Sequence, residues 1–310
     1  ALDHLRIGII GAGAIGCLFG ALLGKVGNGV TLVHRDPSAV AMIRRKGVRV
    51  RELNGTTIKT RVSAELSPAD LSEVDLVIFT VKSYDTEEAA RLHKSNIDAG
   101  SVILTVQNGL SNAEILSKVF GREDVLAGTT TEASFLVGPG DVVHTGKGKT
   151  WVGEPNAMLS TRCAGIAKVF GRAGIKTVVS RNIQGVIWSK TIVNSAVNPV
   201  SALTHLPNGA LVDVPGLKEV MLDVIREGVA VSKATDIRLE PDDPSKLLSR
   251  VLKATASNRS SMLQDVEKGK PTEILQLNGA ITELGKWHKI PTPLNQLLTS
   301  LVLGMELARR

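Results

Sequence analysis

Apolar and polar positions divide the chain into two textures. From residue 5 to about 180, short apolar runs (Leu5 to Ile10, Val30 to His34, Leu76 to Val81, Val102 to Val106, Val125 to Thr130) alternate with stretches apolar at helical spacing. Runs this short, bounded by turn residues, read as buried strands, and strands alternating with helices predict a mostly parallel sheet with helices on its faces. Between 134 and 152, Gly138-Pro139-Gly140 and Gly146-Lys147-Gly148 mark turns between antiparallel strands that finish the domain, and 174–179 reads as its last strand. Beyond about Arg181 the strand-like runs stop. Periodic segments follow at 183–197, 215–236, 244–257, 273–288 and 293–309. Pro215, Pro241, Pro244, Pro271 and Pro291 stand at their joints, where proline starts or separates helices.

Ligands of such sheets sit at the carboxyl ends of the strands, so the residues there carry the first candidate chemistry. Gly11-Ala12-Gly13-Ala14-Ile15-Gly16 follows the first apolar run and opens an apolar helix, the context that a nucleotide fingerprint requires. Gly11 allows the tight turn, Gly13 the approach of backbone to a pyrophosphate, and Gly16 close helix–strand contact, with the helix N-terminus favouring the phosphate charge. The second run ends in His34-Arg35-Asp36. An NAD-binding unit usually places a carboxylate there for the ribose hydroxyls, whereas Arg35 can pair with a 2′-phosphate, so NADPH is expected over NADH, with Asp36 keeping NADH possible. Lys82 and Asn108 follow the third and fourth runs over the same edge; each could also serve only as a cap or turn residue. The predicted class is α/β, with a Rossmann-type dinucleotide-binding domain over 1–180, a helical domain over 181–310, and the active site in the cleft between them.

In the helical half, Lys190, Asn194 and Asn198 fall at i, i+4 and i+8 among Ile192, Val193, Ala196 and Val197. One helix face therefore carries an ammonium and two carboxamides within an apolar surface, a patch suited to binding and protonating a small anion. Hydride delivery to a ketone builds negative charge on its oxygen, and a lysine there can stabilise that charge and supply the proton. Asn258, Ser261 and Asp265 come within reach of one face, and Thr272-Glu273 opens the next helix; taken singly, Asp265 reads as a surface or capping charge and Glu273 as a first-turn acid.

Composition narrows the classes. The formal charge is +7, yet Lys and Arg are dispersed and aromatic residues are 3%, without a stacking cluster, which argues against nucleic acid and suits anionic small molecules. No apolar run has the length of a membrane span, and the N-terminal residues lack an export pattern, so a cytoplasmic protein is expected. Cys17 and Cys163 lie in apolar helical patterns without metal-ligand spacing and read as buried thiols, so no metal is expected.

Taken together, these blocks resemble the ketopantoate reductase (2-dehydropantoate 2-reductase) family. The resemblance runs through the Gly11–Gly16 loop, Val81-Lys82-Ser83-Tyr84, Gln107-Asn108-Gly109-Leu110, Trp188-Ser189-Lys190 to Asn194 and Asn198-Pro199, Asn208-Gly209, Asn258 to Asp265, and Thr272-Glu273-Ile274 with Asn278-Gly279. It implies NADPH-dependent reduction of ketopantoate to (R)-pantoate, toward pantothenate and coenzyme A, with a helical domain like the C-terminal domain of 6-phosphogluconate dehydrogenase. Lys190 would be the catalytic acid and Glu273 its acidic partner, which also helps to place the cofactor. Asn108, Asn194, Asn198, Asn208, Asn258 and Ser261 would contact substrate, and Arg35, Lys82 and Asn108 the cofactor. A homodimer through the helical half is implied by the resemblance alone. Another 2-oxo acid, an opine-type dehydrogenase, and a nicotinamide-sensing protein remain as alternatives; the last has no need of Lys190 and Glu273.

Overall fold

A computed structural model of the chain describes residues 4–66 and 73–309. It separates into two compact units, one of residues 1–107 and 111–183 and one of 108–110 and 184–310.

The first unit contains β1 (Arg6–Ile10), α1 (Ala14–Lys25), β2 (Gly29–Val33), α2 (Pro37–Lys46), β3 (Val48–Arg51), β4 (Thr57–Thr60), β5 (Ser63–Glu65), β6 (Leu76–Phe79), α3 (Thr86–His93), β7 (Val102–Thr105), α4 (Asn112–Phe120), β8 (Val125–Thr130), β9 (Ala133–Gly138), β10 (Asp141–Gly146), β11 (Thr150–Gly153), α5 (Thr161–Arg172) and β12 (Thr177–Val179). Eight strands form a sheet in the order β12-β11-β8-β7-β6-β1-β2-β5. Its pairs are parallel except β11 against β8. Alternate residues face opposite sides of a strand, so Ile7, Ile9, Leu76 and Ile78 join the core under α1 and α5. There Phe19 meets Phe170 edge to face at 5.7 Å, whereas Phe79 meets Phe120 of α4.

The strands of 134–152 do not all finish this sheet. Only β11 joins it, while β9 and β10 form a second, four-stranded sheet with β3 and β4, in the order β4-β3-β10-β9. The physical reason is a second apolar face. Val48, Val50, Val142 and Ile58 pack into the core that includes α1, while Arg49 and Arg51 alternate outward. The Asn54-Gly55 hairpin signal and the Val-Arg alternation before it could have revealed this sheet.

The second unit is helical: α6 (Ile183–Thr204), α7 (Leu217–Ala234), α8 (Pro244–Ala254), α9 (Ser261–Glu267), a π-helical turn (Leu275–Gly279), α10 (Ala280–His288) and α11 (Pro293–Leu307). Helix α6 is buried on nearly all sides, as a central helix is. Gly228 of α7 permits a close crossing, since a Cβ there would meet Ile192 Cγ1 at 2.9 Å. Expected to end at 197, α6 instead continues through Pro199 to Thr204. Proline lacks an N–H and frees the carbonyl of Ser195, but Asn278 Nδ2 donates to that carbonyl at 2.8 Å, so packing offsets the local cost. Among the described residues, no helix is long and apolar enough to cross a membrane.

Candidate active site

The first cluster belongs to the nucleotide-type loop. Gly11 has φ +115°, and its N–H, like that of Ala12, donates to the carbonyl of Val33, pinning the loop to the end of β2. A Cβ at Gly11 would lie 2.6 Å from the backbone N of Val81. One at Gly16 would lie 1.9 Å from the carbonyl oxygen of Gly11, so glycine here closes the loop upon itself. Thr80, not foreseen from sequence, holds that same oxygen with its hydroxyl at 2.7 Å; its place at the end of the third apolar run was the available signal. Gly13 differs, for a Cβ there meets nothing within 4 Å. The first turn of α1 has no side-chain cap and no acid. Open space beside Gly13 and the uncapped amides of Ala14, Ile15 and Gly16 fit a pyrophosphate.

At the end of β2 the two competing residues separate. Asp36 is the N-cap of α2, accepting from the backbone N–H of Ser38 at 2.9 Å and from its hydroxyl at 2.8 Å. These bonds lower its pKa, with the charge of His34 adding to them. Arg35 is exposed, with its guanidinium 3.6 Å from Asp85, so it can turn toward a phosphate at little cost. Lys82 precedes the short 3₁₀ turn Ser83–Asp85, and its carbonyl accepts from Asp85 N–H at 2.8 Å.

The second cluster lies in the helical unit, which includes the 108–110 loop. Between Gly185 and Ala202 every residue of α6 is buried except Lys190 and Asn194. Lys190 Nζ donates to Asn108 Oδ1 at 2.8 Å. Burial pulls the ammonium down to about 8, against the opposing charge of Glu273, itself buried. A lysine so tuned holds its proton near neutrality yet releases it readily, as a general acid should. Asn198, on the same stripe, is buried. Its carbonyl receives the hydroxyl of Ser260 at 3.5 Å.

The expected face of Asn258, Ser261 and Asp265 is not one helix face. Ser260 caps α9 through the N–H of Leu263, so the helix begins at Ser261 and shares its face only with Asp265. Asn258 lies before the cap, and its carbonyl accepts from the N–H of Asn208 at 2.9 Å. Asn208 is buried and donates through Nδ2 to Thr255 Oγ1 at 2.9 Å, tying the 208 turn to the end of α8. The structure thus links Lys190 to Asn108 by a hydrogen bond and to Glu273 by charge, and gives Asn208 and Asn258 a bond to each other. Among the described residues, no group of three His, Cys, Asp or Glu could hold a metal ion.

Residues 7–157 match the family model "Ketopantoate reductase PanE/ApbA", and residues 182–306 match "Ketopantoate reductase PanE/ApbA C terminal". The chain belongs to the ketopantoate reductase family. The 2-dehydropantoate 2-reductase of Halobacterium salinarum is 36% identical over 298 residues, covering 96% of this chain and 98% of its own. That of Archaeoglobus fulgidus is 38% identical, with 97% and 98% covered. A crystal structure of a PanE/ApbA family ketopantoate reductase from Ralstonia eutropha superposes with a TM-score of 0.91 at 35% identity, covering 98% of this chain and 99% of that one. D-mandelate dehydrogenase, solved with NADH and anilino(oxo)acetate, superposes with a TM-score of 0.90 at 25% identity, covering 98% and 99%. The first model covers the glycine loop and the second covers Lys190 and Glu273, while Asn108 belongs to the helical unit but falls within the first model.

Proposed function

We propose that this chain reduces 2-dehydropantoate to (R)-pantoate with NADPH, a step toward pantothenate and coenzyme A. The observation that carries the reading is Lys190, an ammonium on an otherwise buried helix, bonded to Asn108 and shifted by burial toward neutrality. When bound, NADPH supplies the hydride. Ala12, Gly13, Ala14, Ile15 and Gly16, with Gly11 shaping their turn, hold the pyrophosphate, Arg35 the 2′-phosphate, and Lys82, Asn108 and Glu273 the nicotinamide end.

Lys190 gives its proton to the carbonyl oxygen of the substrate as negative charge grows there, and afterwards recovers one from solvent. Glu273 favours the protonated ammonium and so offsets part of the effect of burial. Asn194, Asn198 and Ser261 orient the carboxylate and hydroxyl of the substrate, with Asn108, Asn208 and Asn258 as further contacts, which turns binding into alignment. The division of labour is a nucleotide-binding domain over 1–180 and a substrate domain over 181–310. The protein acts in the cytoplasm on a small molecule. It pairs with a second copy through the helical half, where Leu297 and Leu301 lie exposed one turn apart on α11.

Loss of reduced-nicotinamide absorbance with ketopantoate tests the reaction. Wild-type turnover supports it, and cofactor binding without consumption of ketopantoate rejects it. The likeness to D-mandelate dehydrogenase with NADH favours one second reading, reduction of an aryl 2-oxo acid with NADH. Benzoylformate and NADH, run in parallel, separate the two.

A further inference from the structure

We propose that Asn278 is a positioning residue for Lys190 and Glu273: it fastens the Glu273 segment to the carbonyl of α6 that Pro199 leaves without a helical partner. The inference deepens the proposed function and rests on its assignment of Lys190 and Glu273.

A proline inside a helix sacrifices the bond from its own nitrogen to the carbonyl four residues earlier. In α6 that carbonyl belongs to Ser195, between the stripe residues Asn194 and Asn198. It is buried, so it needs a partner from elsewhere. Asn278 Nδ2 supplies one at 2.8 Å and also donates to Asn295 Oδ1 at 3.1 Å. Asn295 Nδ2 donates onward to Glu227 Oε2 at 2.7 Å, and Glu227 accepts the N–H groups of Leu294 and Asn295 at the start of α11. One carboxamide therefore stands where α6, α7 and α11 are joined. Both asparagines are fully enclosed.

The same carboxamide is tied to Glu273 by backbone geometry. Residues 275–279 form a π turn, in which Gly279 N–H bonds to the carbonyl of Ile274, five residues back. Glu273 stands two residues before that turn and its carbonyl accepts the N–H groups of Gln276 and Leu277 at 3.0 and 3.1 Å, so Glu273 and Asn278 belong to one short hydrogen-bonded stretch, and both are buried. An alanine at 199 would give α6 its own bond and leave Asn278 a weaker hold. The Pro199–Asn278 pair exchanges an intrahelical bond for an interhelical one, at the level where the Lys190 stripe must be set against Glu273.

The test uses the intact protein and three variants, Asn278→Leu, Asn278→Leu with Pro199→Ala, and Pro199→Ala alone. Four readouts are taken: melting temperature, kcat and KM for ketopantoate with NADPH, and the Lys190 titration followed by lysine side-chain NMR, assigned with Lys190→Arg. Asn278→Leu is expected to lower kcat by about tenfold or more and to move the Lys190 titration to lower pH by about half a unit or more, because Glu273 no longer supports the ammonium. Adding Pro199→Ala supplies a backbone donor to Ser195, so Tm should recover while kcat and the titration do not.

Recovery of all three in the double variant would reduce Asn278 to a structural partner and overturn the proposal, as would a wild-type titration and kcat in Asn278→Leu. Where the leucine variants do not fold, Pro199→Ala alone decides: an unchanged Tm with a titration moved to lower pH supports the proposal, and an unchanged titration overturns it. The titration needs no substrate, so failure of the ketopantoate reading would show in the wild-type assay and leave this test intact.

Discussion

Lys190 Nζ donates to Asn108 Oδ1 at 2.8 Å across 82 positions of sequence, and the loop carrying Asn108 belongs with the helical unit rather than with β7 and α4, which flank it. A neutral amide oxygen holds an ammonium in place without fixing a counter-charge beside the reacting oxygen.

Lys190→Ala should lower kcat by roughly 10²–10⁴-fold, the range for loss of one general acid. NADPH binding, followed by quenching of intrinsic fluorescence, should remain. Wild-type turnover in this variant would remove Lys190 from the mechanism.

The pH dependence follows from the same group. With its pKa brought down to about 8, Lys190 is protonated below that value and loses its proton above it. kcat/KM for ketopantoate should therefore fall as pH rises through about 8. Lys190→Arg should lower kcat and abolish this limb, since guanidinium keeps its proton throughout. The folded pKa lies below that of the unfolded lysine, so the unfolded chain binds more protons between about 8 and 10.5. The contribution of Lys190 to stability consequently rises with pH across that window, and its burial cost is fully present below it. A kcat/KM level to pH 9.5 would contradict the assignment.

Arg35→Ala should raise the KM for NADPH by about tenfold or more and leave that for NADH nearly unchanged, because only the 2′-phosphate loses a charge-assisted partner. Asp36→Ala removes the cap of α2 and should lower Tm without altering the ratio of the two cofactors. Equal loss with both cofactors in Arg35→Ala would place the 2′-phosphate elsewhere.

Two glycines of one loop should fail differently. A Cβ at Gly13 has free space in the protein, so Gly13→Ala should keep Tm yet weaken NADPH binding. At Gly16 the added carbon would lie 1.9 Å from the carbonyl oxygen of Gly11, so Gly16→Ala should lower Tm as well. Thermal melts beside NADPH titrations check both, and tight NADPH binding by Gly13→Ala would move the pyrophosphate away from this loop.

Much of the fold was legible because its signals are local. Strands alternating with helical patterns read as a parallel sheet, and the Gly11–Gly16 loop carried its context with it. The second sheet leaves a fainter mark, since β3 and β4 are four residues each and the Val-Arg alternation before Asn54-Gly55 does not say which core its apolar face meets. Asn258 shares no helix face with Ser261 and Asp265, because the helix starts three residues after it, and a serine at 260 or at 261 caps equally well by sequence.

The sequence alone determined the two textures, the glycine loop and the i, i+4, i+8 stripe of Lys190, Asn194 and Asn198, each a consequence of backbone periodicity. Tertiary structure decided what distance along the chain conceals. It committed Asp36 to a helix cap and left Arg35 exposed, carried α6 through Pro199 by lending it the amide of Asn278, and brought Asn108 to Lys190. Burial lowers the affinity of Lys190 for its proton, and a residue's burial depends on what the rest of the chain packs around it.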